Sequence, residues 1–293
     1  MTATNLSASP GAVVAPVPAA DDPGGSRLSW AARDTLAVTG RNLLHYLRVP
    51  QLLVFTFVQP IMFVLLFRYV FGGAIPIPGI SYVNYLMPGI FGQTVVFGAV
   101  STGIGLAEDM STGIIERFRS LPMAAMAVLA GRTTADLVRN VLVVMVMFAV
   151  GYGVGFRPSG SLLAILFGTL LVLGFAYALS WVFANVGMKA PSGEAAQAIG
   201  FPILFPLTFA SSAFVPVNSM PGWLQGFAAH QPVTVVVNAT RGLMLGPDTA
   251  AGLRRAGLFT TSTTSYVLQS IGWIALILLL SAPIAIRRFR KAA

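Results

Sequence analysis

Few side chains in this 293-residue sequence can do covalent or acid–base chemistry. It has no cysteine and only two histidines, His45 and His230, so it offers no thiol nucleophile and no thiolate metal site. Its two lysines, Lys189 and Lys291, stand outside any Gly-x-x-x-x-Gly-Lys-Ser/Thr arrangement, whose backbone amides and ammonium group hold phosphates. The chain therefore has no P-loop of its own. No His-Glu-x-x-His or EF-hand spacing occurs, and no carboxylate pair falls inside an apolar run, which leaves a hydrolase without an evident acid and base. What the apolar runs carry is neutral polarity. Side chains of this kind commonly hold membrane helices together by hydrogen bonds. Among them Gln59, Gln93, Thr94, Thr208, Ser211 and Ser212 are also candidates for lining the path of an amphipathic substrate. His230 stands alone and reads as structural.

The elements that must position these groups follow from composition. Apolar residues make up 56% of the chain and charged residues 9%, against roughly 45–50% and about 25% in a soluble domain. With a mean hydropathy of +0.79, too little polar surface exists to cover a water-soluble globule, so most of the exterior faces lipid. A bilayer core about 30 Å thick needs about 20 apolar residues in a helix. Six stretches qualify, at roughly 52–71, 84–106, 135–156, 162–184, 195–215 and 266–286. The run 233–245 is too short and interrupted for a seventh. The expected fold is an all-α integral membrane domain over residues 51–293. Pro202 and Pro206 interrupt the fifth span and predict a kink with freed carbonyls.

Residues 1–25, rich in Ala, Pro, Gly, Ser and Thr with no basic segment before an apolar core, read as a disordered tail and not a signal peptide. Residues 26–50 interleave Leu28, Leu36, Leu43, Leu44 and Leu47 with Arg27, Arg33, Arg41 and Arg48, a pattern that predicts an amphipathic interfacial helix. The net charge of +9 sits between apolar runs and at the chain ends, without the basic stripe and interleaved aromatics of a nucleic-acid binder. Thirteen Lys and Arg fall on the side of the termini. Five fall opposite, Arg68, Arg157, Arg241, Arg254 and Arg255, which places both termini in the cytoplasm. Glu108, Asp109, Asp136, Arg139, Glu194 and Arg68 are read as lying near span ends, within snorkelling reach of the interface. An ion-coupled carrier or channel, the alternative function, is disfavoured by that lack of embedded charge, and an intramembrane enzyme by the lack of convergent catalytic groups.

Two connections are long, a cytoplasmic one over 108–134 and an outer one over 217–265. In the first, Ser111 or Thr112 can cap a short helix that carries Ile114, Ile115 and Phe118 on one side until Pro122 stops it. Such a surface helix suits docking to a partner. The stretch STGIIERFRSLP followed by VLAGRTTADLVRN resembles the loop between the second and third spans of type 2 ABC transporter permeases, especially the daunorubicin-resistance drug exporters. FPILFPLTFASSAFVP and NSMPGWLQGFAAHQPVTVVVNATRGLMLG resemble the fifth span and outer region of the same family, and the likeness extends over residues 28–290.

The resemblance implies a six-helix permease of the type V exporter fold, with an outer pair of re-entrant short helices, in a bacterial plasma membrane. It implies two copies of a cytoplasmic ABC ATPase that hold ATP and Mg, a second permease subunit, identical or homologous, and no cofactor on this chain. Gly113, Glu116, Arg117, Phe118, Arg119 and Pro122 would then form the coupling helix. Pro221, Trp223, His230, Gln231 and Pro232 would belong to an outer gate. The cargo is expected to be an amphipathic drug or lipid that leaves the cytoplasm or inner leaflet.

Overall fold

The computed structural model describes residues 27–48, 50–115 and 125–291. The expected tail at 1–25 lies outside them, as does the core of the coupling segment. Among the described residues the chain forms nine α-helices and no strands: α1 (Arg27–Arg48), α2 (Pro50–Leu65), α3 (Tyr82–Ser111), α4 (Ala125–Gly153), α5 (Leu162–Gly187), α6 (Gly193–Phe209), α7 (Gly222–His230), α8 (Pro232–Arg255) and α9 (Thr263–Lys291). A π-helical turn, Leu66–Phe71, prolongs α2.

Four helices are long and apolar enough to cross a membrane: Tyr82–Ser111, Ala127–Gly153, Leu162–Gly187 and Thr263–Arg290. These match the second, third, fourth and sixth expected spans, with α3 and α4 running further into the expected cytoplasmic loop than the hydropathy implied. The connection narrows from 108–134 to 112–124, because Arg132 and its neighbours are helical. The first expected span is a shorter apolar helix, Thr56–Phe71. The fifth, α6, is 17 residues long, about 26 Å at 1.5 Å per residue, and ends at Phe209 in place of 215.

Helix α1 shows why its sequence is amphipathic. Val38, Thr39, Asn42 and Tyr46 recur three or four residues apart and are buried, while Leu36 and Leu44 on the other side are exposed. The buried stripe packs on α4, where the Thr39 hydroxyl donates to the Gly131 carbonyl at 3.2 Å. Helix α3 is the hub, packed against α4, α5, α6 and α8. Of its most apolar stretch 78% is buried, against 11% in α9, so α9 is the peripheral helix whose Leu268, Leu279 and Leu280 face outward.

The outer region departs most from expectation. Helix α8 is not confined to 233–245 but continues to Arg255 across a kink at Gly246, whose φ of +80° is open to glycine at little cost. The carbonyls freed by the kink are taken up from one neighbouring turn: Gly160 N–H donates to Met244 O at 2.9 Å, and the Ser159 hydroxyl donates to Leu245 O. Arg241, read from sequence as an outer-side charge, is fully buried in the core. The guanidinium stacks 3.7 Å from the Tyr85 ring centroid. It donates to Tyr85 O at 3.0 Å, Ser212 O at 2.8 Å and Asn238 Oδ1 at 2.5 Å. No carboxylate lies within ion-pairing distance of it among the described residues.

These contacts surround the segment that follows α6. Tyr85 and Tyr82 donate through their phenols to Ser212 O at 3.2 Å and Phe214 O at 3.0 Å. Gln231 accepts from Val233 N–H at 2.9 Å, so it caps α8, and its amide donates to Leu207 O at 2.9 Å. The segment also presses on α3 so closely that a Cβ at Gly89 would overlap the Ala213 carbonyl.

Replacing Arg241 by Met removes three buried hydrogen bonds and the contact with the Tyr85 ring, and should lower stability by about 3 kcal/mol, read as a fall in the thermal unfolding midpoint in detergent. Gly89→Leu should be at least as damaging, because backbone, not a movable side chain, blocks the space. An unchanged midpoint in both would refute the clamp around residues 207–214.

Candidate functional site

The six residues expected on a substrate path do not share one surface. Gln59, Gln93 and Thr94 line a cavity of about 230 Å3 between α2, α3, α4 and α6, with Phe97 and Phe201 as aromatic walls. Thr208, Ser211 and Ser212 lie apart from it, buried where α6 ends. There the Ser211 hydroxyl donates to Thr208 O and accepts from Ala213 N–H, and the Ser212 hydroxyl donates to Asn238 Oδ1 at 2.9 Å. The Ser211 and Ser212 hydroxyls hold the chain break together. Only the α2–α3 trio faces open space.

The sequence reading did not place Arg139, Asn140 or Gln197 on the path, yet all three line the cavity, as does Ser101. Arg139 had been assigned to a span edge, but it lies near the middle of α4 and is 4% exposed, and Asp136, one turn earlier, is 1% exposed. Burial without solvent is tolerated here because the two charges meet and most of their hydrogen-bonding groups find partners, Arg139 Nε excepted. Asp136 accepts from the Tyr46 phenol at 2.7 Å and the Thr102 hydroxyl at 2.5 Å, and pairs with Arg139 at 3.7 Å and Arg132 at 3.9 Å. Arg139 also donates to Gly98 O at 2.7 Å and lies over the Tyr46 ring. Burial first, then the Asp136 carboxylate, pushes the Tyr46 phenol up to about 12, so it remains a donor throughout the physiological range. The three-residue spacing of Asp136 and Arg139 on one helix face was the available signal, outweighed by where the hydropathy boundary was drawn.

This cluster continues to both ends of the connection between α3 and α4. Arg132 at the start of α4 pairs with Asp109 at the end of α3, 3.3 Å apart, and Arg41 of α1 reaches the same carboxylate at 3.5 Å. A second cavity of about 560 Å3 opens here, lined by Arg41, Tyr46, Glu108, Asp109 and Arg132, and it shares Thr56, Ser101, Ile104 and Arg139 with the first.

Of the expected coupling residues, Gly113 is the one described. It ends α3 with φ +69°, a left-handed conformation that favours glycine after a helix, and its N–H donates to Met110 O at 3.2 Å. Both hydroxyls expected to start the next helix, those of Ser111 and Thr112, donate back to Glu108 O and so close α3. Glu116, Arg117, Phe118, Arg119 and Pro122 lie outside the described residues.

The expected outer-gate residues divide by burial. Trp223 is 82% exposed near the start of α7, Pro221 precedes that helix, and His230 is exposed with Nδ1 2.9 Å from Gly226 O. Pro232 begins α8, where a missing N–H costs nothing. Gln231 alone is buried, joining α8 to the end of α6.

Comparison with known proteins bears on what this arrangement serves. The family model described as ABC-2 type transporter matches residues 33–245. The chain is 32% identical, over 89% of its length and 87% of the relative's, to the daunorubicin resistance ABC transporter permease protein of Streptomyces coeruleorubidus. It is 27% identical, over 72% of its length and 77% of the relative's, to a probable doxorubicin resistance ABC transporter permease protein of Mycobacterium tuberculosis. A putative transport permease of Pyropia yezoensis is 27% identical over 70% of this chain and 72% of its own. A multi-pass helical membrane protein with this likeness across most of its length belongs to the ABC-2 type transporter family.

Proposed function

We propose that this chain is the permease subunit of an ATP-driven exporter that moves an amphipathic drug or lipid out of the cytoplasm or inner leaflet by alternating access. The observation that carries the reading is the family match over residues 33–245, on a chain without a P-loop. ATP and Mg would be bound by two copies of a separate cytoplasmic ATPase, and a second permease, identical or homologous, would complete the transporter in the bacterial plasma membrane. The six spans would be α2 with its π turn, α3, α4, α5, α6 and α9. Helix α7 and the first half of α8 would form the re-entrant outer region. Both termini would be cytoplasmic, as the thirteen-to-five distribution of basic residues favours.

In this reading, closure of the ATPase dimer pushes the helix around Glu116 and Phe118. Because Arg132 and Asp109 join the two feet of that segment and Arg41 ties α1 to them, the push reaches α1, α3 and α4 as one body. Gln59, Gln93 and Thr94 would meet the cargo, and Pro221, Trp223, His230, Gln231 and Pro232 would form the outer gate. Absence of embedded charge no longer argues against an ion-coupled carrier, since Asp136, Arg139 and Arg241 are embedded. Their engagement by fixed protein partners, however, suits structural clamps better than a transient ion site.

Phe118→Ala and Glu116→Gln should each lower cargo efflux by about tenfold while expression and thermal stability stay unchanged, as expected of a docking anchor. Asp136→Asn leaves two buried guanidiniums short of a carboxylate, and should cost about 3 kcal/mol of stability, seen as a lowered unfolding midpoint. The deciding experiment is co-purification with the ATPase in nanodiscs, followed by ATP turnover with and without lipophilic drugs. A stable complex with drug-stimulated turnover is expected; efflux by this chain alone in liposomes, with no ATPase bound, would overturn the reading.

A further inference from the structure

The cavity between α2, α3, α4 and α6 has an uneven charge. Arg139 is the one ionised side chain that lines it among the described residues, and no Asp or Glu does. The nearest carboxylate, Asp136, has both oxygens engaged, by Tyr46 and Thr102, and is 1% exposed. Glu108 and Asp109 face the neighbouring cavity, so negative charge is confined there.

Three polar atoms on the cavity's own residues lack a hydrogen-bond partner among the described residues: Arg139 Nε, Thr94 Oγ1 and Gln93 Oε1. Each side chain is more than nine-tenths buried. A buried donor or charge left unpaired is costly, more so in an apolar bundle, and a ligand that pairs with it removes that cost. An anion does so best. It accepts from the guanidinium and from the Thr94 hydroxyl, and Gln93 can turn its amide N–H inward by rotating its last side-chain bond. A cation would find no counter-charge. Size points the same way, because 230 Å3 is below the roughly 300–1,000 Å3 of pockets that enclose a whole drug-sized ligand. One end of a molecule fits, with its apolar part beside Phe97 and Phe201.

We propose that this cavity is a headgroup site for an amphipath whose polar end is an anion, a carboxylate or a phosphate, and that Arg139 selects it over a cation. This rests on the exporter reading only for its biological purpose; the site itself is defined by the geometry. The anion can be the head of a resident phospholipid or of the exported cargo.

The test uses the full chain, with its ATPase, in nanodiscs of zwitterionic lipid, and a matched pair of probes, pyrenebutyrate and pyrenebutylamine. The anion should bind about tenfold more tightly than the amine, and Arg139→Gln should remove about that factor for the anion alone. Because Arg139→Gln also disturbs Asp136, a second variant is needed. Gln197→Glu places a carboxylate in the lining at an exposed position, and should shift the preference toward the amine without loss of stability. Equal or tighter binding of the amine by the unaltered protein, or an unmoved preference in Gln197→Glu, would overturn the proposal. Native mass spectrometry separates the two sources. Phosphatidylglycerol that co-purifies, and that pyrenebutyrate displaces, identifies a resident lipid, whereas anion binding with no retained lipid identifies cargo. ATP turnover in the same samples keeps the two readings apart: anion selectivity without ATPase association would sink the exporter alone, and stimulated turnover with amine selectivity would sink the anion site alone.

Discussion

Backbone carbonyls that leave a helix inside an apolar bundle must find donors, because lipid supplies none. That constraint organises the half of this protein around the end of α6. Helix α6 stops at Phe209, and the chain turns back through residues 210–216 within the protein. Donors come from two other helices, Gln231 and Arg241 from α8 and Tyr82 and Tyr85 from α3, while the Thr234 hydroxyl of α8 accepts from Ser212 N–H. Because Arg241 bonds backbone on both α3 and the break, its permanent charge is spread over neutral acceptors and the Tyr85 ring and needs no carboxylate. Close approach at Gly89 is the steric counterpart of the same junction.

The opposite half is organised by charge, not by free backbone groups. Asp136 joins α1 through Tyr46, α3 through Thr102 and α4 through Arg139, so three helices from separate parts of the chain are tied at one carboxylate. Arg132 and Asp109 extend the tie to both ends of the connection between α3 and α4.

Between the two polar junctions lies the cavity that has polar side chains to spare. The upper junction is closed to ligands because its carbonyls and guanidinium saturate one another. Lower down, Arg139 keeps an unpartnered Nε, and it is the ionised residue that reaches the cavity wall.

Hydropathy and basic-residue placement alone identified a helical membrane protein, an amphipathic first helix and most of the long spans, because helix length and apolar content are local properties. Arg241 was not legible in this way, since an arginine in PVTVVVNATRGLMLG reads as a loop charge until the fold puts Tyr85, 156 residues away, beneath it. The split of Gln93 and Thr94 from Ser211 and Ser212 was equally hidden. All are small or neutral polar residues in apolar runs, and nothing in their spacing says which will spend its hydrogen bonds on a broken helix and which will keep them for a cavity. Only tertiary packing decides that, because satisfaction of a buried polar group depends on what other helices bring within about 3 Å of it.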